Sequence, residues 1–303
     1  MRAPADAIFV LFHCMSVGKE SFSRALGRDR ILENMGVIVV IPARFASSRF
    51  PGKPLALVAG VPMLQRVWAI AKAADGVAQA IVATDDARIA GAVRAFGGEV
   101  VMTPESCRNG TERTHAAVEA LDLDADAIVN LQGDAVLTPP WAIGALAHAM
   151  AADASVKIAT LATKMAPAAY AALKRQKADG QAGGTTVTFD RFGDALYFSK
   201  SLIPFVKKPD GDLPLYRHIG IYAYRRATLA EYVGFEMGPF EKAEELEQLR
   251  ALENGVRMRV VQCDYRGRTH WSIDSPADLA QAEAIIASEG ELLPRYDGMA
   301  LSP

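Results

Sequence analysis

The amino-acid sequence predicts an α/β fold, in which a mostly parallel, doubly wound sheet is joined to a smaller antiparallel region. Three observations support this prediction. In the first half of the chain, strand-length apolar runs alternate with segments of helical period, and those runs are nearly continuous Val, Ile and Ala. In the second half the strand patterns alternate instead. Continuous apolar runs are typical of parallel strands covered on both faces, and alternation is typical of antiparallel strands with one exposed face.

The predicted elements alternate regularly along the first half. The strands lie in GVIVVIP, QAIVATDD, EVVMT and DAIVNLQGD, and the helices lie in PMLQRVWAIAKAA, ARIAGAVRAFGG, TERTHAAVEAL and WAIGALAHAM. Crossover helices between consecutive strands are what a parallel sheet requires. Ligands of such sheets bind outside the carboxyl ends of the strands, which directs attention to the loops that follow them.

The second half begins with an antiparallel extension formed by VKIATLAT and by the hairpin TTVTFDRFGDALYFSK. A buried strand (RHIGIYAYR), a long charged helix (FEKAEELEQLRALENG), a strand (VRMRVVQCDY) and a helix capped at Ser275 (SPADLAQAEAIIASEG) complete the pattern. We assign residues 35–303 to one domain, in which 184–225 form the antiparallel subregion.

Composition narrows the class of protein. The chain has 303 residues, of which 50% are hydrophobic and 22% charged, and its net charge is -2. This balance argues against broad binding to nucleic acid or to an anionic membrane. Three cysteines without metal-ligand spacing fit a reducing cytoplasm. The apolar patch Ile8 to Met15 is far shorter than the roughly 18 residues of a spanning helix. We therefore expect residues 1–34 to be a poorly packed extension, or translation to begin at Met35.

A rigid basic loop, PARFASSRFPGKPL, follows the first strand from Pro42 to Leu55. Its charges and small polar groups suit a polyphosphate. The loop lacks the GxxxxGK[ST] pattern of a Walker A motif and the GxGxxG of a dinucleotide fold. A solvated basic turn is the alternative interpretation. The candidate phosphate-binding residues are Arg44, Ser47, Ser48, Arg49, Gly52 and Lys53.

Two aspartates stand at the ends of strands. Asp134 follows the fourth strand in NLQGD, and Asp274 lies at a strand-to-helix junction in HWSIDSP. Together they form a candidate Mg²⁺ site, because Mg²⁺ prefers one or two carboxylates plus substrate phosphates. Gln132 is then placed to hydrogen-bond a base or a sugar. The alternatives are a simple Gly-Asp turn at Asp134 and an ordinary cap at Asp274.

Other polar residues have weaker local signals. In NGTER, Thr111 is the predicted helix cap, and Arg113 suits a nucleobase or a phosphate. The remaining candidates can also be explained by structure alone. His218 and Tyr222 share one strand face, where such residues are commonly part of the core. Glu247 and Gln248 fit the solvated face of the charged helix.

Taken together, the segments resemble the 3-deoxy-manno-octulosonate (KDO) cytidylyltransferase family. The resemblance rests on IPARFASSRFPGKPL, VATDD, GTER, NLQGD, ALYFSK, RHIGIYAY, LEQLR and SIDSPADL in this order, and covers Val37 to Ile286. It implies a Rossmann-like nucleotidyltransferase fold and a cytoplasmic homodimer built through the antiparallel region. It also implies the use of CTP and Mg²⁺ to activate KDO for lipopolysaccharide biosynthesis, with release of pyrophosphate.

The resemblance also implies roles for particular residues. The CTP phosphates would be held by Arg44, Ser47, Arg49 and Lys53, with Arg113 and Gln132 near the nucleotide or sugar. Asp134 and Asp274 would ligate Mg²⁺ and act in catalysis together with Arg44 and Lys53. The KDO pocket would be lined by Lys200, His218, Tyr222, Glu247 and Gln248.

Three departures from the family pattern leave the identity of the sugar substrate open. The usual QGDEP is here Gln132 to Val136 with Ala135 in place of the acidic residue, Lys200 replaces an arginine, and Asn109 replaces a serine. The alternatives are activation of 8-amino-KDO or of a sialic-type nonulosonate, or a catalytically silent nucleotide-binding homologue.

Overall fold

The structure is a computed structural model that describes residues 36–46, 50–123, 125–181, 183–208 and 213–293. The predicted extension at residues 1–34 lies outside the described residues, as do Ser47, Ser48 and Arg49 of the basic loop.

A central mixed sheet organises the chain. Its strands have the spatial order β11-β7-β10-β6-β1-β4-β5. Neighbouring strands are parallel except at β10, which runs antiparallel to both β6 and β7. The strands of the described chain are β1 (Val37–Ala43), β2 (Leu57–Val58), β3 (Val61–Pro62), β4 (Val77–Thr84), β5 (Glu99–Met102), β6 (Ala127–Asn130), β7 (Ile158–Lys164), β8 (Thr186–Phe189), β9 (Ala195–Ser199), β10 (Tyr216–Arg225) and β11 (Met258–Gln262).

Helices cover both faces of this sheet, as the continuous apolar strands predict. They are α1 (Met63–Lys72), α2 (Ala87–Ala95), α3 (Gly110–Ala120), α4 (Pro140–Ala152), α5 (Pro167–Ala178), α6 (Arg226–Val233), α7 (Pro239–Glu244), α8 (Leu249–Glu253) and α9 (Pro276–Glu289). One apolar core lies between the sheet and α1, α4 and α9, and a second between the sheet and α3, α6 and α8. None of the described helices is long and apolar enough to cross a membrane.

The second half of the chain differs from the prediction in one respect. The segment VKIATLAT, expected in an antiparallel extension, forms β7 inside the main sheet, parallel to β11 and antiparallel to β10. Five of its seven residues are buried. Its alternating polarity comes from threonines, and Thr160 is fully buried with its hydroxyl donating to the Ile221 carbonyl oxygen at 2.9 Å. In the sequence pattern, a buried threonine whose hydroxyl hydrogen-bonds within the protein therefore looks like an exposed polar residue.

The predicted hairpin is present as β8 and β9. Asp190 closes it, because its Oδ1 accepts from the backbone N–H groups of Phe192 and Asp194 at 2.8 and 2.9 Å, and Gly193 adopts φ 85°. An Asx-type turn followed by a glycine of positive φ is the turn chemistry that the RFGD sequence predicts. The hairpin attaches to the first residues of β10 through Thr186 and Arg217.

The prediction of one long charged helix over FEKAEELEQLRALENG is wrong. The segment forms two short helices, α7 and α8, because Glu245 adopts a left-handed φ of 49° between them. This break turns Gln248 into the interior, where it is 5% exposed, and leaves Glu247 largely buried. The alternative interpretation, in which these two residues occupy a solvated helix face, is therefore wrong.

Helix caps were predicted with mixed success. Ser275 caps α9 in a capping box with Asp278, as expected. At α3 the cap is Asn109, whose side chain accepts from the Glu112 N–H at 2.8 Å, and Thr111 lies inside the first turn. Asparagine is the stronger N-cap, and its use here frees the Thr111 hydroxyl for other contacts.

Candidate active site

The basic loop and the two aspartates meet at the carboxyl edge of the sheet. The Lys53 ammonium lies 2.7 Å from Asp134 Oδ2 and 3.7 Å from Asp274 Oδ1, and it donates to the Ile273 carbonyl oxygen at 2.8 Å. These residues are 81 and 221 positions apart from Lys53 in the chain. The predicted pairing of Asp134 with Asp274 is thus present, with Lys53 between the two carboxylates.

Local backbone geometry orients the side chains of Lys53, Asp134 and Asp274. Gly52 has φ 72°, a conformation that glycine adopts at little cost, and it leads into a short 3-10 helix over Lys53–Leu55. Gly133 passes the first strand so closely that a Cβ there would lie 3.0 Å from the Pro42 carbonyl oxygen. On the other side, Asp278 accepts from the backbone N–H groups of Asp274 and Ser275 at 3.1 and 2.8 Å. The chain is fixed immediately beside each aspartate.

These carboxylates suit a metal that is shared with a substrate. Among the described residues, no group of three or more His, Cys, Asp or Glu side chains is placed to hold a metal by itself. Two carboxylates that converge on one cation, here the Lys53 ammonium, are the donor set that Mg²⁺ uses when phosphate oxygens supply its other ligands.

The described start of the basic loop contains an exposed charge and an anchored aromatic ring. Arg44 directly follows β1 and is exposed. Phe45 packs on Gly52, and the Arg88 guanidinium stacks on the Phe45 ring at 3.3 Å from its centroid. Arg88 is itself held by Asp86, with which it makes hydrogen bonds of 2.6 and 3.0 Å. The Phe45 ring, next to Arg44, is thus fixed between Gly52 and Arg88.

The predicted nucleotide residues occupy the next part of the edge. Arg113 is 3% exposed and donates to Asp85 Oδ2 at 2.6 Å and to Thr103 Oγ1 at 2.7 Å. Gln132 Nε2 donates to Asn130 Oδ1 at 3.1 Å. Asp85 is not among the site residues predicted from sequence; its signal there is its position directly after β4, in VATDD.

A polar network joins the nucleotide candidates to the sugar candidates. Gln132 bonds to Asn130, the Asn130 amide donates to Thr111 Oγ1 at 3.2 Å, and the Thr111 hydroxyl is close enough to Glu247 to affect its pKa. Burial raises the pKa of Glu247, although the Thr111 hydroxyl and Arg250 oppose the shift. Thr111 thus acts as a link rather than as the predicted cap.

The predicted sugar residues also come together. The rings of His218 and Tyr222 lie 5.7 Å apart on one face of β10, and the Tyr222 hydroxyl donates to Gln248 Oε1 at 3.1 Å. Within the described chain, Glu247 Oε1 and Gln248 Nε2 are buried without a hydrogen-bond partner. A buried acceptor and a buried donor left open at one place are suited to ligand hydroxyl groups.

Lys200 lies at the edge of this group. Its ammonium is 3.0 Å from Glu245 Oε2, and its backbone N–H donates to Glu244 Oε2 at 2.8 Å. Glu244 also accepts from the Ser199 hydroxyl at 2.6 Å, so it joins the end of β9 to the end of α7. Glu244 is not among the residues predicted from sequence, because a continuous helix would place it among solvated charges.

Comparisons with known proteins agree with this geometry. A family model described as cytidylyltransferase matches residues 38–259, more than half of the chain. A 3-deoxy-manno-octulosonate cytidylyltransferase of Maricaulis maris is 56% identical over 259 residues, which are 86% of this chain and all of the relative. The chain belongs to the 3-deoxy-manno-octulosonate cytidylyltransferase family.

Two further proteins of related function are similar to this chain. An 8-amino-3,8-dideoxy-manno-octulosonate cytidylyltransferase of Shewanella pealeana is 41% identical over 252 residues, covering 82% of this chain and 98% of the relative. The solved structure of CMP:2-keto-3-deoxy-manno-octonic acid synthetase complexed with CTP is 36% identical, with a TM-score of 0.74, and covers 84% of this chain and 99% of its own. The predicted nucleotidyltransferase fold is therefore confirmed.

The family departures at Ala135 and Val136 fall in the interior. Ala135 is 7% exposed and Val136 is 1% exposed, and both belong to the core beneath Asp134. Both residues therefore pack in the core directly after Asp134, whose carboxylate contacts Lys53.

Proposed function

We propose that this chain is an Mg²⁺-dependent KDO cytidylyltransferase, which converts CTP and KDO into CMP-KDO and pyrophosphate. The observation that supports this most directly is the contact of the Lys53 ammonium with both Asp134 and Asp274. A cation and two carboxylates at the carboxyl edge of the sheet are the groups that phosphoryl transfer needs, because its catalysis consists of positioning and charge stabilisation.

Different residues have different roles in the proposed reaction. Lys53 and Arg44 face the phosphates and stabilise the negative charge that gathers on the α-phosphoryl and pyrophosphate oxygens. The anomeric hydroxyl of the sugar attacks the α-phosphorus, pyrophosphate leaves, and the sugar is oriented by the open hydrogen-bonding atoms of Glu247 and Gln248. Asp134 and Asp274 are the residues that would hold Mg²⁺, which would polarise the phosphate oxygens.

Variants at the charged centre test the role of this site. Asp134→Ala and Asp274→Ala should each abolish Mg²⁺-dependent turnover and only weaken CTP binding, since the basic loop remains. Lys53→Ala should lower kcat/KM by orders of magnitude, whereas Lys72→Ala, an exposed lysine of α1, should not. Pyrophosphate release and CTP titration measure the two quantities. A loss below tenfold for Lys53→Ala, about 1.4 kcal/mol of transition-state stabilisation, would contradict the proposal.

The sugar and the nucleotide need a test of their own. We expect wild-type protein to release pyrophosphate from CTP with KDO and to react poorly with ATP, GTP and UTP. The second candidate is 8-amino-KDO, which is supported by the relative of Shewanella pealeana and by the change to Lys200. A higher kcat/KM for 8-amino-KDO than for KDO would replace the first assignment with the second.

The chain is also proposed to act as a cytoplasmic homodimer in lipopolysaccharide biosynthesis. Large apolar side chains around the hairpin support the dimer. Leu196 on β9 and Phe240 on α7 are 62% and 55% exposed, and the Tyr197 ring packs edge-on against Phe240 at 6.1 Å. Apolar side chains gathered at one surface are characteristic of protein interfaces.

A further inference from the structure

Two segments of the chain carry the aspartates of the charged centre. The first segment, residues 132–141, contains Asp134, and the second segment, residues 263–274, contains Asp274. They meet at Lys53, whose ammonium lies 2.7 Å from Asp134 Oδ2 and 3.7 Å from Asp274 Oδ1. The separation of the two carboxylates therefore depends on how the segments are held against each other.

Another contact joins the segments away from the charged centre. Trp141 Nε1, at the end of the first segment, donates to the Asp264 carbonyl oxygen, near the start of the second, at 3.0 Å. Both segments also contribute side chains to the same apolar core, among them Val136, Tyr265 and Ile273. The two segments are thus fastened at both ends, by Lys53 at one and by Trp141 at the other.

Between these contacts, three buried polar atoms make no hydrogen bond of normal geometry with the described residues. They are Thr138 Oγ1 on the first segment and Tyr265 Oη and His270 Nδ1 on the second. Thr138 is 1% exposed and Tyr265 is 4% exposed. Buried polar groups are normally hydrogen-bonded, so open atoms on two segments that touch indicate a partner outside the polypeptide.

The three side chains are neighbours. The rings of Tyr265 and His270 pack edge-on, with their centroids 6.1 Å apart. Burial raises the pKa of Tyr265, and the Thr138 side chain is close enough to oppose this shift. Burial also lowers the pKa of His270 to about 4, so that its imidazole is neutral and its Nδ1 can either donate or accept. Two hydroxyl groups and a neutral imidazole together suit a partner that both donates and accepts.

We propose that Thr138, Tyr265 and His270 bind one internal water molecule that fixes the spacing between Asp134 and Asp274. A buried water typically makes about three hydrogen bonds to polar groups that otherwise have no partner, and three such atoms are present here. The shared water connects the two segments between their end contacts. Its three ligands are positioning residues, because they act through the segments that carry the aspartates. The consequence for catalysis rests on the proposed function.

A high-resolution crystal structure of the metal-free protein tests the water directly. It should show one ordered water that hydrogen-bonds Thr138 Oγ1 and at least one of Tyr265 Oη and His270 Nδ1, at about 2.6–3.2 Å. The absence of a water that bridges the two segments in this way would overturn the inference. Direct hydrogen bonds among the three side chains in place of the water would overturn it too.

A pair of conservative variants tests what the water does. Thr138→Val keeps the side-chain shape and removes the hydroxyl, so the Mg²⁺ concentration for half-maximal turnover should rise about tenfold, as when support for metal ligands is lost. Binding of Mn²⁺, a paramagnetic probe of the same site, to the CTP-loaded protein should weaken similarly in electron paramagnetic resonance titrations. Thr138→Ser keeps the hydroxyl and should remain near the wild-type value. Thr114→Val is the matched control, because it removes another buried hydroxyl without a partner among the described residues, on α3.

A double variant distinguishes one shared water from separate effects. Tyr265→Phe should also weaken the response to Mg²⁺, and Thr138→Val combined with Tyr265→Phe should be little worse than either alone, because both remove the same water. Additive effects, or equal Mg²⁺ responses of Thr138→Val and Thr114→Val, would overturn the inference alone. A wild type that turns over without Mg²⁺ would instead overturn the metal dependence in the proposed function, while the crystallographic water still decides the inference.

Discussion

His218 is a residue whose charge state is set by its surroundings. It is 7% exposed, its Nε2 lies 2.9 Å from Thr160 Oγ1, and the Phe198 ring packs edge-on against it at 4.8 Å. Because the Thr160 hydroxyl donates to the Ile221 carbonyl oxygen, it accepts from Nε2–H of a neutral imidazole. His218 therefore offers the sugar pocket shape and a ring face, and no charge.

This neutral histidine predicts how stability depends on pH. Its pKa is about 3 in the folded protein against an ordinary 6.5, so the unfolded chain binds the extra proton between these values. Stability should fall as the pH is lowered from 6.5 towards 3, and the His218 contribution should reach about 2 kcal/mol near pH 5. His218→Gln should flatten this part of the curve in denaturant titrations. His115→Gln is the control, and equal slopes for both variants would contradict the prediction.

At the scale of elements, the break between α7 and α8 decides what Glu247 and Gln248 can do. In a continuous helix they would share the charged surface of their neighbours. The left-handed residue Glu245 turns the chain, so that Gln248 reaches the Tyr222 hydroxyl and Glu247 comes close enough to Thr111 for its pKa to be affected. Arg250 stabilises the turn through a buried pair with Glu241, at 2.6 and 2.7 Å.

The conformation of Glu245 is testable by substitution. A β-branched residue is strongly disfavoured at positive φ, so Glu245→Val should destabilise the protein by about 1–2 kcal/mol. Glu245→Gly should be neutral or slightly stabilising, because glycine adopts this conformation freely and the exposed pair with Lys200 contributes little. Thermal melting measures both variants. Equal stability of the valine and glycine variants would contradict the left-handed turn.

At the scale of the whole molecule, the hairpin and α7 each have an exposed apolar side chain, Leu196 and Phe240, near the sugar candidate Lys200. Lys200 directly follows β9, and Glu244 ends α7, so an interface through Leu196 and Phe240 would lie close to the pocket. Dimerisation would therefore stabilise the elements that position the pocket as well as cover the apolar side chains.

A charge placed on this surface should separate the subunits. Leu196→Asp should shift the protein from dimer to monomer in sedimentation or light-scattering measurements, because an interface cannot bury an unpaired carboxylate cheaply. Leu121→Asp alters a comparably exposed apolar residue at the end of α3 and is the control. A wild-type monomer, or a Leu196→Asp variant that remains a dimer, would contradict the proposal.

Much of the fold could be predicted because its signals are local. The apolar runs of β1 and β6 are buried throughout, and the Ser275 cap and the Asp190 turn depend on residues a few positions apart. The helix break at Glu245 could not be predicted, because glutamate has no intrinsic preference for a left-handed conformation and only tertiary packing stabilises it there.

The sequence by itself determined the parallel sheet, its basic loop, the two aspartates at strand ends and, through ordered motifs, the family. Only the tertiary structure decided that Lys53 lies between those aspartates, that β10 runs antiparallel through the middle of the sheet, and that Gln248 is turned into the interior. The reason is physical: periodicity and capping act over a few residues, whereas the energy of a charge depends on groups that folding brings together from distant segments.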